Sequence, residues 1–148
     1  MDLRTNDGPT VSEHAGTCTT RFYIDKEELR HETMGGYLEL FSRFRLEPGT
    51  QLEPHSHDSD EVYYLLSGCA EMRVGDETAQ LGPGDLVRIP PNAIHSIRPI
   101  GDTPIEALAV GFSYMPADRV GYTAHPIGGE PHWVPHDCHS TAVRSDAE

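Results

Sequence analysis

The chain is predicted to fold as one all-β domain, a barrel or sandwich, and three observations carry that expectation. From Tyr37 to Phe112 apolar and polar residues alternate at the period of two that a half-buried strand requires. Clusters of Gly, Pro and Asp at 48–49, 75–76, 82–85, 90–92 and 101–104 cut this stretch into short runs. No repeat of solenoid type appears, and at 148 residues the chain can bury a core without staples.

The elements follow in order. Residues 1–16 are polar and contain Gly8, Pro9 and Gly16, which reads as a flexible arm carrying little chemistry. TCTTRFYI at 17–24 is rich in β-formers and reads as a strand. Asp25 then caps a short helix, with Glu28 completing a capping box, and Gly35 and Gly36 end it. Next, Leu38, Leu40, Phe44 and Leu46 alternate with Glu39, Phe41, Arg43, Arg45 and Glu47. Further strands are expected at 51–57, 61–67, 69–74, 77–81, 86–89, 94–98 and 104–112. Beyond Phe112 the pattern dissolves into an irregular extension, 113–148, holding four prolines and four of the nine histidines.

The chemistry is concentrated in GTQLEPHSHDSDEVYYLLSG, residues 49–68. His55, His57 and Glu61 fall within seven positions there, and imidazoles with a carboxylate are donors for borderline divalent metals. The H-x-H spacing sets both rings on one face of a strand. A fourth donor must come from elsewhere, and His95 is the candidate, after the apolar strand Leu86, Val87, Ile89 and the turn Pro90, Pro91, Asn92.

Here the chain resembles the cupin family, as a small single-domain member with a metal-binding motif. The first family motif, G-x5-H-x-H-x3-E-x6-G, is met by Gly49, His55, His57, Glu61 and Gly68. Gly84, Pro90 and His95 meet the second, G-x5-P-x-G-x2-H-x3-N, which departs at Asn92 and Pro99. Asn tolerates the left-handed turn that glycine supplies there, so the first departure is mild. The resemblance covers roughly 38–112. It implies a double-stranded β-helix (jelly-roll) barrel over 17–112, a short N-terminal helix, a metal inside, and a homodimer paired through an edge strand.

Strand parity then suggests the walls of the site. If His55 and His57 point inward, Gln51 and Glu53 do too, and Glu61 brings Tyr63 with it. Ile97 shares a face with His95, and Ala70, Met72 and Val74 form an apolar row. Gln51, Met72 and Ile97 are therefore expected in the substrate pocket, with Glu53 and Tyr63 as acid/base groups or substrate contacts. Arg43, in the polar phase of its strand, would bind a substrate carboxylate only if turned inward. In the extension, His125, His132, His136, Cys138 and His139 match no strong metal pattern, and Trp133 is expected to pack over the mouth or against a partner.

Composition excludes some functions. Eleven basic against 24 acidic residues give a net charge of −13, which repels nucleic acid and anionic membranes. Three scattered cysteines make no disulfide framework, the N-terminus lacks the apolar core of a signal peptide, and no run reaches the length of a membrane span. A cytoplasmic location is expected.

Three imidazoles and one carboxylate leave a divalent metal with a net charge near +1 and open positions for a small-molecule substrate. The resemblance implies oxygen-using, dioxygenase-type oxidoreductase chemistry with Fe(II) favoured, although Mn, Ni, Co, Cu or Zn also suit these donors. The alternatives are a non-redox isomerase, lyase or polyketide-type cyclase, and a non-catalytic barrel that only binds its ligand.

Overall fold

The computed structural model describes residues 9–24, 38–113 and 121–135. Among these residues there are twelve strands. In chain order they are β1 (Val11–Glu13), β2 (Cys18–Ile24), β3 (Leu38–Leu46), β4 (Leu52–Ser56), β5 (Asp60–Ser67) and β6 (Ala70–Val74). Then come β7 (Glu77–Leu81), β8 (Leu86–Ile89), β9 (His95–Pro99), β10 (Ile105–Phe112), β11 (Gly121–Ala124) and β12 (His132–Pro135). The only helical turn described is a 3-10 turn at His14–Gly16. The helix expected from Asp25 lies outside the described residues.

The strands form two six-stranded antiparallel sheets, ordered β1-β2-β3-β10-β5-β8 and β12-β11-β4-β9-β6-β7. Each sheet turns its alternate residues onto a shared core. Phe44, Leu46, Leu65, Ile89 and Ile105 come from the first, and Leu52, Ala70, Met72 and Ile97 from the second. Each large side chain so buried contributes about 1.5–3 kcal/mol. The strands β3 to β10 match the runs expected from the period-two pattern to within a residue or so at each end.

Three departures matter for the site. First, residues 11–16 of the expected arm are tied in, because β1 pairs with β2 in the register Glu13↔Cys18 and the 3-10 turn closes that hairpin. Second, the extension contains β11 and β12, and β11 pairs with β4 at Thr123↔Ser56 and Ala124↔His55. GYTA and HWVP carry no apolar period, but the open edge of β4 needs partners for its backbone groups. Third, β3 does not alternate throughout. Glu39 is buried in a phase read as polar, where the β3–β10 register shifts between Gly111 and Phe112.

Two turns behave as the motifs require. Asn92 adopts the left-handed conformation at φ 64°, and its N–H donates to the His57 carbonyl at 2.7 Å, tying the two motif loops together. Gly68, at φ +78°, links β5 to β6 where an added Cβ would sit 2.5 Å from the Pro104 carbonyl oxygen. No described helix is long and apolar enough to cross a membrane.

Candidate metal centre

Backbone pairing brings the histidines together. His55 on β4 lies directly opposite His95 on β9, and their ring centroids are 4.1 Å apart. His57 follows β4 by one residue, with its ring 4.9 Å from that of His95 and 5.8 Å from that of His55. One ligand atom from each of the three imidazoles falls within 4.8 Å of the others. Glu61 reaches the cluster from β5, in the opposite sheet, and places Oε2 2.9 Å from His57 Nε2 and 3.6 Å from His95 Nε2.

The hydrogen bonds around the rings set their tautomers. Each Nδ1 faces a backbone carbonyl and must therefore donate: His55 to Glu53 at 2.8 Å, His57 to Ser59 at 3.2 Å, and His95 to Ala93 at 2.9 Å. In the neutral form of each ring, this leaves Nε2 with a lone pair directed inward. Backbone carbonyls behind metal-binding imidazoles orient them in this way.

A cation fits this arrangement. His95 Nε2 is buried without a hydrogen-bond partner, and in a neutral ring His57 Nε2 presents a lone pair to the lone pairs of Glu61. Both are costly unless a positive charge lies among them. Burial, then the neighbouring His95 and His14 rings, push the His55 pKa well below the usual histidine range, so the ring stays neutral. Burial raises the Glu61 pKa, but hydrogen bonds and charge from His57 and His95 in their protonated forms more than offset it and hold the carboxyl well below the ordinary range, a role that a bound cation would take over from those protons. Neutral imidazoles with an ionised carboxylate are the form a divalent metal binds.

Above the cluster is a cavity of about 80 Å³. Leu40, Phe44, Leu52 and Ala109 give it apolar walls, while Thr20, Ser42 and Tyr63 add hydroxyls. Tyr63 is 4% exposed, and burial, followed by the nearby Glu61 carboxylate, raises its pKa well above the ordinary tyrosine value. It stays a phenol at neutral pH. Cys18 also faces the cavity, with its thiol pushed up to about 12 by burial, so it is not a nucleophile.

Not every expected wall residue is there. Between β4 and β9 the register runs Leu52↔Ile97 then His55↔His95, three positions on one strand against two on the other. This bulge contains Pro54, which has no N–H for the ladder, and it reverses the parity expected from His55. Leu52 turns inward, Glu53 is exposed, and Gln51 is half-buried outside the cavity lining. Met72 and Ile97 pair across β6 and β9 and are buried as expected, but they pack in the core rather than at the cavity surface. Arg43 points to the outer face, where its guanidinium pairs with Glu106 beside Arg45.

The cavity also contains residues that sequence reasoning passed over. Glu13 and His14 come from the supposed arm, and Gly121 and Tyr122 from the extension. No periodicity marks them, because each segment is short and gains its place only by pairing with β2 or β4. Trp133 packs on Gly121, where an added Cβ would lie 2.5 Å from its Cζ2, but it is itself exposed and does not line the cavity. His125 is structural: its N–H donates to the Pro54 carbonyl at 2.7 Å, and its Nε2 is 3.0 Å from Ser56 Oγ. His132 is exposed, and His136, Cys138 and His139 lie outside the described residues.

Comparisons with known proteins agree with this geometry. The model of a cupin domain matches residues 42–111. An oxalate-binding protein of Thermotoga maritima is 32% identical over 83 residues, covering 55% of this chain and 69% of the relative. A gentisate 1,2-dioxygenase of Haloferax is 30% identical over 66 residues, 45% of this chain but 17% of that enzyme. Among solved structures, a protein of Thermotoga maritima described as a predicted oxalate decarboxylase superposes with a TM-score of 0.62 at 25% identity, covering 74% of this chain and 96% of that one.

Proposed function

The chain belongs to the cupin family, and from that premise we propose that it is a metal-dependent enzyme acting on a small organic molecule. His55, His57, His95 and Glu61 hold one divalent transition metal at the base of the cavity, between sheets read as the two halves of a jelly-roll barrel. One observation carries the proposal: three imidazoles, each fixed through Nδ1 to a carbonyl, converge their Nε2 atoms beside a buried carboxylate.

The leading reaction class is an oxygen-using oxidation with Fe(II). When bound, the metal supplies Lewis acidity and, for a redox-active ion, a route for electrons to dioxygen. The chain's own residues do the rest. The carbonyls of Glu53, Ser59 and Ala93 hold the imidazoles in orientation, and Leu40, Phe44, Leu52 and Ala109 exclude bulk water. Tyr63 lines the cavity as a buried phenol whose hydroxyl hydrogen-bonds the Glu61 carboxylate and so helps to hold that ligand in orientation. Glu53, on the outer side of the bulge, takes no part in proton transfer.

A second reading, a non-redox lyase acting on a small acid, is favoured by the likeness to the oxalate-binding protein and the predicted oxalate decarboxylase. Elemental analysis of the purified protein, followed by a substrate screen in an oxygen electrode, tests both. About one metal per chain with oxygen uptake in step with product supports the leading reading. Full-rate turnover without dioxygen transfers the case to the second, and protein folded without stoichiometric metal refutes both.

A further inference from the structure

We infer that Glu39 is a positioning residue for the metal centre, acting through the Ser59 hydroxyl to hold the carbonyl that orients the His57 ring. This rests on the proposed metal-centred site. Of the three clustered histidines, His57 alone stands outside a strand, one residue beyond the end of β4. His55 and His95 are fixed by pairing with each other across the ladder, whereas His57 depends on the loop that leads to β5. Its Nδ1 donates to the Ser59 carbonyl at 3.2 Å, the longest of the three such bonds.

Two ties from outside hold that loop. The Asn92 N–H donates to the His57 carbonyl at 2.7 Å. At the other end, Ser59 Oγ donates to Glu39 Oε2, which arrives on β3, in the sheet opposite the one that contains β4. Both partners are buried, Glu39 at 3% exposed and Ser59 at 5%.

Glu39 does not reach Ser59 by the ordinary alternation of its strand. The β3–β10 register runs Leu40↔Gly111 and then Leu38↔Phe112, so Glu39 is the extra residue of a bulge. A bulge re-aims a side chain, and this one turns inward a carboxyl that alternation places outside. It also sets Glu39 level with the cluster, because Gly111 pairs with Leu40 on one side and with Glu61 on the other. Burying a carboxyl is costly unless hydrogen bonds compensate it, and the bond from Ser59 does so at the point where it steadies a ligand. Glu61 thus offers its oxygen to the cluster directly, while Glu39 keeps His57 Nε2 turned toward that oxygen, 2.9 Å away.

Co(II) titration, read in its visible absorption bands, and NMR of the imidazole nitrogens in the metal-free protein test this. Ser59→Ala removes the donor, and Glu39→Met removes the acceptor while keeping volume in the buried space. Each should weaken Co(II) binding about tenfold or more. The double variant should bind within about twofold of the weaker single one, because both changes cut the same link. Glu39→Gln keeps an oxygen that accepts the hydrogen bond and should stay within about threefold of wild type. With the imidazoles neutral, the His57 proton should reside on Nδ1 in wild type and Glu39→Gln, and be shared between both nitrogens in Ser59→Ala and Glu39→Met. Unchanged affinity and tautomer in Ser59→Ala overturn the inference, and do so even if Glu39→Met fails to fold. Losses that add in full in the double variant also overturn it, as does a Glu39→Gln as impaired as Glu39→Met. A lower urea midpoint with Co(II) affinity intact reduces the pair to a role in stability and overturns it as well. Wild-type protein that takes no Co(II) brings down the proposed function, whereas Co(II) binding by wild type that every variant matches brings down this inference alone.

Discussion

Gly68 and Gly49 share a backbone conformation but not an environment, so substituting each by alanine isolates a steric cost. Both adopt φ +78°. At Gly49 an added Cβ meets nothing within 4 Å, whereas at Gly68 it would lie 2.5 Å from the Pro104 carbonyl oxygen, 3.0 Å from Ile105 Cγ2 and 3.1 Å from Ile105 Cα. A left-handed conformation costs alanine about 1–2 kcal/mol, partly offset by about 0.4–1 kcal/mol from a less flexible unfolded chain. Gly49→Ala should therefore destabilise by no more than about 1.5 kcal/mol. Gly68→Ala adds an overpacking cost of about 1–3 kcal/mol, because the nearest atom is backbone and Ile105 is fully buried. Urea denaturation of the two variants side by side measures the difference, which should appear as a lower midpoint with an unchanged slope. Glu61 lies seven residues before Gly68 on β5, roughly 23 Å along the strand, so metal content should not change. Equal destabilisation of the two variants, within about 0.5 kcal/mol, would refute the steric argument.

Three further outcomes are expected. His57→Ala should weaken metal retention by more than about a hundredfold, since even residues supporting a ligand cost 10–100-fold; normal metal by elemental analysis would remove His57 from the donor set. Glu106 has its pKa lowered mainly by hydrogen bonding from Arg43, with Arg45 assisting. Its contribution to stability is thus full above the ordinary glutamate range and is lost as pH falls through the lower folded value. Glu106→Gln should cost under about 1 kcal/mol at pH 7, and the deficit should shrink in acid; a deficit equal at about pH 7 and pH 3 in urea melts would show that charge is not its cause. Deleting residues from Gly121 onward should lower the thermal midpoint and loosen the metal, because β11 covers the β4 edge at His55; unaltered metal retention in the truncated chain would show that the cover is dispensable.

The fold was legible where its determinants are local. Period-two alternation marks β3 to β10 because a strand half-buried against a core must alternate, and glycines at positive φ punctuate it because few other residues adopt that conformation. The histidines and Glu61 were legible for the same reason, since their spacing is set by two neighbouring strands and a turn. Asn92 shows how far such reasoning reaches, its left-handed turn following from one side chain's tolerance.

What failed was extrapolation across an interruption. Parity counted back from His55 put Gln51 and Glu53 inside, but the bulge at Pro54 adds one residue to β4 and turns Leu52 inward instead. Glu39 was missed in the same way, at the register shift between β3 and β10. A bulge is a property of two strands in register, and neither strand's sequence alone specifies it.

By itself the sequence determined an all-β chain with a set of donors suited to a metal, because strand period, turn chemistry and donor spacing are encoded in neighbouring residues. Only the tertiary structure decided which side chains line the cavity. It brought His14 from one end and Tyr122 from the other to the His55 ring, and it sent Arg43 and Glu53 outward. Those choices depend on long-range strand pairing, whose free energy comes from satisfying exposed backbone edges and burying a shared core, and neither is written in any one segment.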